Sequence, residues 1–233
     1  MNENLIGSIF SQAGKRYGFD TVTADFSPEK DLKIAWIRCG SQIDLWISDY
    51  LKDAPSDLLE DLADVVFRKI KLDPGIQYTD VIKNYVESKD FRDRCRPTYI
   101  SRLHGVSLGT EGRHFDLNES YERLAEKGLI DMDSDIILRW APITDSPSVG
   151  HSSALMKVVT LSRRLDCVHI STDVLDFCLY SQLSFIGSGR LMDKEDRDRE
   201  YEEKMRQYPG YSCLMEDLRE LGMDLGREMS PIC

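Results

Sequence analysis

The sequence predicts an α+β fold, a small antiparallel or mixed sheet packed on one buried helix with further helices around it. Two observations carry this. The stretch Ser171-Thr-Asp-Val-Leu-Asp-Phe-Cys-Leu-Tyr-Ser-Gln-Leu-Ser-Phe-Ile-Gly187 opens on the cap-type residues Thr172 and Asp173, and Asp176 is its one formal charge between Val174 and Ile186. A helix there is apolar on nearly every side and belongs at the centre of a core. Short alternating stretches of strand length at 21–26, 32–38, 43–48, 136–142 and 156–161 are interleaved with segments of helical period.

The 233 residues suffice for a full-sized core, and the 41% hydrophobic and 30% charged content is that of a globular chain, read here as one domain over 1–233. A net charge of -11 repels nucleic-acid phosphates, so no nucleic-acid partner is expected. Six cysteines without a C-x-x-C pair read as reduced, buried thiols. The first residues lack a basic segment followed by an apolar run, and no stretch reaches about 18 apolar residues, so a soluble cytoplasmic protein with no membrane partner is expected.

In chain order, Leu5, Ile6, Ile9 and Phe10 mark a short amphipathic helix before Gly18. Thr21–Phe26, Leu32–Arg38 and Ile43–Ser48, with a turn at Gly40-Ser41, predict a hairpin or three-stranded meander. Pro55 opens a helix whose apolar face is Leu58, Leu59, Leu62, Val65, Val66 and Ile70. Residues 78–104 carry a second helical pattern, and the arginines Arg92, Arg94 and Arg96 before Pro97 read as a solvated face.

Residues 105–115 are rich in glycine, and glycines let backbone N–H groups approach an anion. Their spacing matches neither the P-loop nor G-x-G-x-x-G, which makes a surface loop the expected form. His104 and His114 flank it without a cysteine or acidic partner at ligand spacing. Asp116–Gly128 is a helix, acidic early, basic late and closed by glycine. Strands at 136–142 and 156–161 flank a loop, Thr144–Ser153. After the buried helix, the charged run 193–206 reads as solvated, Tyr211 starts a last helix bearing Leu214, Met215, Leu218 and Leu221, and residues 222–233 read as a frayed tail.

Four segments resemble the minimal zinc metallopeptidases of the SprT-like and YgjP-like kind. Lys33–Ser48 leading to Asp53-Ala-Pro55 looks like that family's first hairpin and helix entry. Gly150-His-Ser-Ser153 followed by Val158–Leu165 is similar to its turn and the edge strand beside its cleft. Val174–Ile186 resembles its V-x-D-Y-V-x-x-H-E-L-x-H helix, and Tyr201 to Tyr208-Pro-Gly-Tyr211 its ending. The resemblance implies that residues 73–134 are a helical insertion or elaboration.

It also implies that Ser181, Gln182 and Phe185 stand where the family has ligand, general base and ligand, with no histidine after His169 to supply the third ligand. A phenylalanine has no donor atom, a neutral serine hydroxyl is a poor zinc ligand, and a glutamine amide cannot take a proton from water. The expected protein is therefore a pseudoenzyme without zinc, the three positions being vestigial and no catalytic or metal residue assigned. It would hold a protein or peptide by strand addition along a groove formed by His151, Ser152, Ser153, Val158 and Thr160, or serve as a structural partner. The alternatives are a hydrolase that uses Ser181 or Ser184 with His151 or His169 as base, a carboxylate metal site at Asp193, Glu195 and Asp196, and a domain whose likeness to peptidases is coincidental.

Overall fold

The computed structural model describes residues 3–71, 76–103, 109–187 and 194–225. The fold is α+β, and its packing divides into two compact units that part at Tyr99 and Ile100. Each unit has its own sheet and core.

In the first unit, α1 (Glu3–Arg16) leads into β1 (Thr21–Ser27), β2 (Ile34–Cys39) and β3 (Gln42–Ser48), followed by a 3-10 turn at Asp49–Leu51, α2 (Ser56–Ile70) and α3 (Asp80–Glu87). The sheet order is β1-β3-β2, with β1 parallel and β2 antiparallel to β3, so the expected meander is not formed. The hairpin at Gly40-Ser41 does form, with Gly40 in the left-handed region at φ 60° that a side chain would strain. β3 is the central strand, and its alternation turns Ile43, Leu45 and Ile47 into the core. Phe67 of α2 collects Phe10, Tyr17 and Phe19 around its ring at centroid distances of 5.4–6.2 Å.

The pattern over 78–104 is two helices, α3 and α4 (Lys89–Arg102), broken at Ser88, whose extended backbone lets its hydroxyl accept from Phe91 N at 3.1 Å. Pro97 lies inside α4. Arg92 is buried, not solvated, and its guanidinium reaches Glu87 O at 3.4 Å.

In the second unit, α5 (Leu117–Glu126) precedes β4 (Ile137–Ala141), β5 (Gly150–Ser153) and β6 (Val158–Ser162), then a 3-10 turn at Arg163–Leu165, α6 (Thr172–Gly187), α7 (Lys194–Arg206) and α8 (Tyr211–Glu220). The sheet order is β4-β6-β5, with β4 parallel and β5 antiparallel to β6. The helix α6 is buried on almost every side, as its composition requires, and Leu117, Tyr121 and Leu124 of α5 join its core. α5 is thus a wall of this core.

The two units repeat one architecture: a helix, three strands with the last in the middle, a 3-10 turn and a helix. The residues agree where the central strand leaves the sheet. Leu45-Trp-Ile-Ser-Asp-Tyr-Leu51 matches Val159-Thr-Leu-Ser-Arg-Arg-Leu165, and Ser56-Asp-Leu-Leu59 at the start of α2 matches Thr172-Asp-Val-Leu175 at the start of α6. Ser48 N donates to Lys33 O at 3.0 Å, and Ser162 N donates to Val149 O at 2.8 Å, which fixes the equivalence of Lys33 with Val149.

Among the described residues the cysteines are free; Cys95 and Cys178 are buried, whereas Cys39 and Cys213 are exposed, against the expectation of buried thiols. No helix among the described residues is long and apolar enough to cross a membrane.

Candidate functional site

Ser181, Gln182 and Phe185, the positions that the resemblance reads as vestigial, lie on the second half of α6. Ser181 is fully buried and its hydroxyl donates to Cys178 O, one turn back, at 2.7 Å. That is the usual fate of a serine inside a helix, and it directs the hydroxyl to the backbone and not to an imidazole. The Gln182 amide, 5% exposed, donates from Nε2 to Leu225 O at 3.1 Å. Phe185 is half-buried and meets Tyr201 edge-on, the ring centroids 6.3 Å apart. All three side chains have internal engagements. Ser184 is also buried.

One turn earlier on the same helix, Asp176 has no exposed surface and accepts from Ser120 Oγ at 2.6 Å, Arg123 Nη2 at 2.8 Å and Nε at 3.2 Å, and Lys127 Nζ at 3.3 Å. The carboxylate holds the Arg123 guanidinium above its ordinary pKa. This cluster locks α5 to α6. Burial alone pushes the neighbouring Cys178 thiol well up, so it is an inert thiol and not a nucleophile.

The groove residues lie on two paired strands, with His151 opposite Thr160 and Ser153 opposite Val158. His151, Ser152 and Ser153 belong to β5, a strand in its own right where the polar composition suggests a loop. β5 pairs with β6 on one side and with no strand on the other among the described residues. Val158 and Thr160 are on β6, which is the central strand and buried throughout, so an extended chain cannot add there. The edge strands of this sheet are β4 and β5. Gly150 is required in β5, because a Cβ would fall 2.3 Å from Thr160 O.

Directly before β5, Ser148 forms a parallel bridge with Asp224: Val149 N donates to Asp224 O at 2.7 Å and Asp224 N to Pro147 O at 2.9 Å. Met223 is buried in the core, and Arg164 donates both to Ser146 O at 3.2 Å and to Leu221 O at 3.4 Å. Residues 222–225 are therefore built into the fold, where a frayed tail is the sequence expectation. Sequence reasoning misses this segment because four residues carry no periodicity.

Asp166 uses the glycine-rich loop. Its carboxylate accepts from the backbone N–H groups of Arg113 at 2.6 Å, His114 at 2.8 Å and Phe115 at 3.2 Å, and a Cβ at Gly112 would fall 2.6 Å from its Oδ2. Residues 105–108 of the loop lie outside the described residues; its later part, Arg113 to Phe115, does cradle an anion, but the anion is the protein's own. Burial raises the Asp166 pKa, and the three N–H bonds overcome this and leave it below the ordinary carboxylate range. A folded-state pKa below the unfolded one stabilises above the unfolded value and is lost as pH falls through the folded one. Urea unfolding from neutral pH down through the carboxylate range is expected to show a smaller acid loss of stability in Asp166→Asn than in the parent. Equal acid losses in the two proteins would show that the loop does not depend on this charge.

His114 and His169 are exposed. His104, Asp193 and residues 226–233 lie outside the described residues, as do the side chains of Glu195 and Asp196. Among the described residues no group of three or more histidines, cysteines or carboxylates could hold a metal ion. The four segments that resemble the metallopeptidases divide between the units, the 33–48 hairpin in the first and the others in the second. No family model, curated protein or solved structure matches the chain.

Proposed function

We propose that the protein is a non-catalytic, metallopeptidase-like binding protein that takes up an extended segment of a partner protein by strand addition at the β5 edge. The observation that carries this reading is the bond from Gln182 Nε2 to Leu225 O at 3.1 Å. The side chain at the position of a general base holds the backbone of an extended segment beside the sheet, which is a binding task and not proton transfer. The internal bond of Ser181 supports the same reading over a serine hydrolase, since its hydroxyl is turned to Cys178 O.

The test joins metal content with binding. Untagged protein purified without chelator is expected to hold well under one zinc per chain by plasma mass spectrometry, to leave denatured protein substrates uncut, and to bind members of an extended-peptide array. Ser152→Pro, which removes a backbone donor from β5, is expected to abolish the array binding. Stoichiometric zinc with zinc-dependent cleavage would overturn the proposal, and so would an array without a single binder.

A further inference from the structure

The sheet of the first unit has its core on one face only. Along β3, Ile43, Leu45 and Ile47 turn inwards, so Gln42, Asp44 and Trp46 turn outwards, and strand pairing carries this alternation to both neighbours. Asp25 of β1 and Ala35 of β2 flank Trp46, and Thr23 of β1 and Ile37 of β2 flank Asp44. Trp46 and Ile37 are thus diagonal neighbours, each with a carboxylate beside it. All six residues are exposed, Ile37 at 63% and Trp46 at 36%, so this face is open.

The chemistry of the patch selects what can cover it. Among the described residues the Asp25 carboxylate has no hydrogen bond or ion pair, and the Asp44 carboxylate accepts from the Thr23 hydroxyl alone. Elsewhere the protein sets its own cations over aromatic rings, Arg38 and Lys71 on Phe19, Lys69 on Tyr78 and Arg94 on Phe91. Trp46, of the ring type that attracts a cation best, has none among the described residues.

An apolar cover would bury both carboxylates unpaired, a penalty that one tryptophan and one isoleucine do not offset. A second copy of the chain would set the same carboxylates against themselves, and its net charge of -11 opposes the approach further. Nucleic acid and anionic lipid are repelled for the same reason. What fits is a cation beside an aliphatic group, the pair that a basic protein segment supplies. In the second unit the same face of the central strand is buried, with Val158 and Thr160 standing where the first unit has Asp44 and Trp46. The architecture therefore accepts a cover on this face, and in the first unit the cover must bring positive charge. The sheet is three strands across, about 10 Å, which is the width of one helix.

We propose that this outer face is a docking surface for a basic amphipathic helix of another protein. An arginine or lysine of that helix lies on the Trp46 ring and pairs with Asp25 and Asp44, while an aliphatic side chain packs on Ile37 and Ala35. The surface belongs to the first unit alone and does not depend on β5.

The probe is a fluorescein-labelled peptide of four Ala-Leu-Arg-Ala repeats, which sets leucine and arginine stripes side by side along a helix. At about 0.15 M salt the full-length protein is expected to bind it saturably in fluorescence anisotropy. The Trp46 indole N–H signal, assigned by its loss in Trp46→Phe, is expected to move in step. Asp25→Asn combined with Asp44→Asn is expected to weaken binding about fivefold to tenfold, and Trp46→Ala by about as much, while Trp46→Phe keeps most of the affinity. These positions are exposed, so the variants are expected to keep the parent's circular dichroism. A peptide with serine for every leucine is expected to bind about tenfold more weakly. Absence of saturable binding would overturn the proposal. Equal affinity in the double asparagine variant would too, by showing that the peptide is held by negative charge elsewhere, and so would equal affinity for the serine peptide. Self-association that is lost in Trp46→Ala would make a second copy the occupant, and binding seen only in a chain ending at Leu225 would make the chain's own end the occupant; either overturns it. Ser152→Pro is expected to leave this binding unchanged, so failure at β5 and failure here are read separately.

Discussion

Arg123→Met is expected to cost about 3–5 kcal/mol of folding stability, the loss typical of breaking a buried ion pair. The substitution keeps the volume of the side chain but leaves Asp176, which has no exposed surface, with only Ser120 and Lys127 as donors. Lys127 is about half exposed and its bond is the longer one, 3.3 Å against 2.8 Å from Arg123 Nη2, so it cannot replace the forked guanidinium. Asp176→Leu is expected to cost less, about 1–3 kcal/mol, because the Arg123 side chain is 29% exposed and can turn its charge to water. The double variant is expected to be more stable than Arg123→Met alone, since an apolar pair leaves no buried charge behind. Urea unfolding of the four proteins closes the cycle. If both single changes cost under about 1 kcal/mol, the cluster behaves as a surface ion pair and the locking of α5 to α6 must come from packing alone.

Trp140→Ala is expected to remove about 3–5 kcal/mol, the range for deleting a large aromatic from a core. Trp140 of β4 is fully buried, and its Nε1–H donates to Thr110 O at 2.7 Å, so the change opens a void and leaves a carbonyl without its donor. Trp140→Phe separates the two terms and is expected to lose about 1–2 kcal/mol, most of it the hydrogen bond. With total stabilities commonly about 5–15 kcal/mol, the alanine variant is expected at the edge of folding while the phenylalanine variant stays folded. Trp46 is exposed and Trp36 half-buried, so the bluest part of the tryptophan emission is assigned to Trp140 and should vanish in both variants. Alanine and phenylalanine variants of equal stability would show that the cavity carries no cost.

Local features were readable where a physical preference acts over a few residues. The apolar run 174–186 announced a helix buried on all sides, Gly40 and Gly128 took the left-handed conformations their turns need, and Asp116 caps α5 by accepting from Asn118 N at 2.8 Å. β5 was not readable, because Gly-His-Ser-Ser has neither alternation nor β-branched residues and is a strand only by pairing with β6. The edge position given to β6 failed for a related reason. Apolar content says that a strand is buried but not which neighbours flank it, and β6 has one on each side.

The repeat is the largest feature that stayed hidden. Its trace, Leu-x-Ile-Ser-x-x-Leu in one half and Val-x-Leu-Ser-x-x-Leu in the other, spans seven residues and holds one identical polar position, too little to separate from chance without the matching sheet topology. A surface loop was the expected form around Gly112, and its role as an anion cradle was not legible because the anion, Asp166, lies over fifty residues away in sequence.

The sequence by itself determined the α+β class, the helix α6 and the absence of a histidine or acid at Ser181, Gln182 and Phe185, because each depends on side-chain chemistry at known spacing. Tertiary structure alone decided which strand lies at an edge, that Met223–Leu225 pairs beside Val149, and that two units carry the same fold. Those depend on backbone hydrogen bonds between distant segments, and a backbone N–H or C=O is the same in every residue that has one, so no side-chain pattern records its partner.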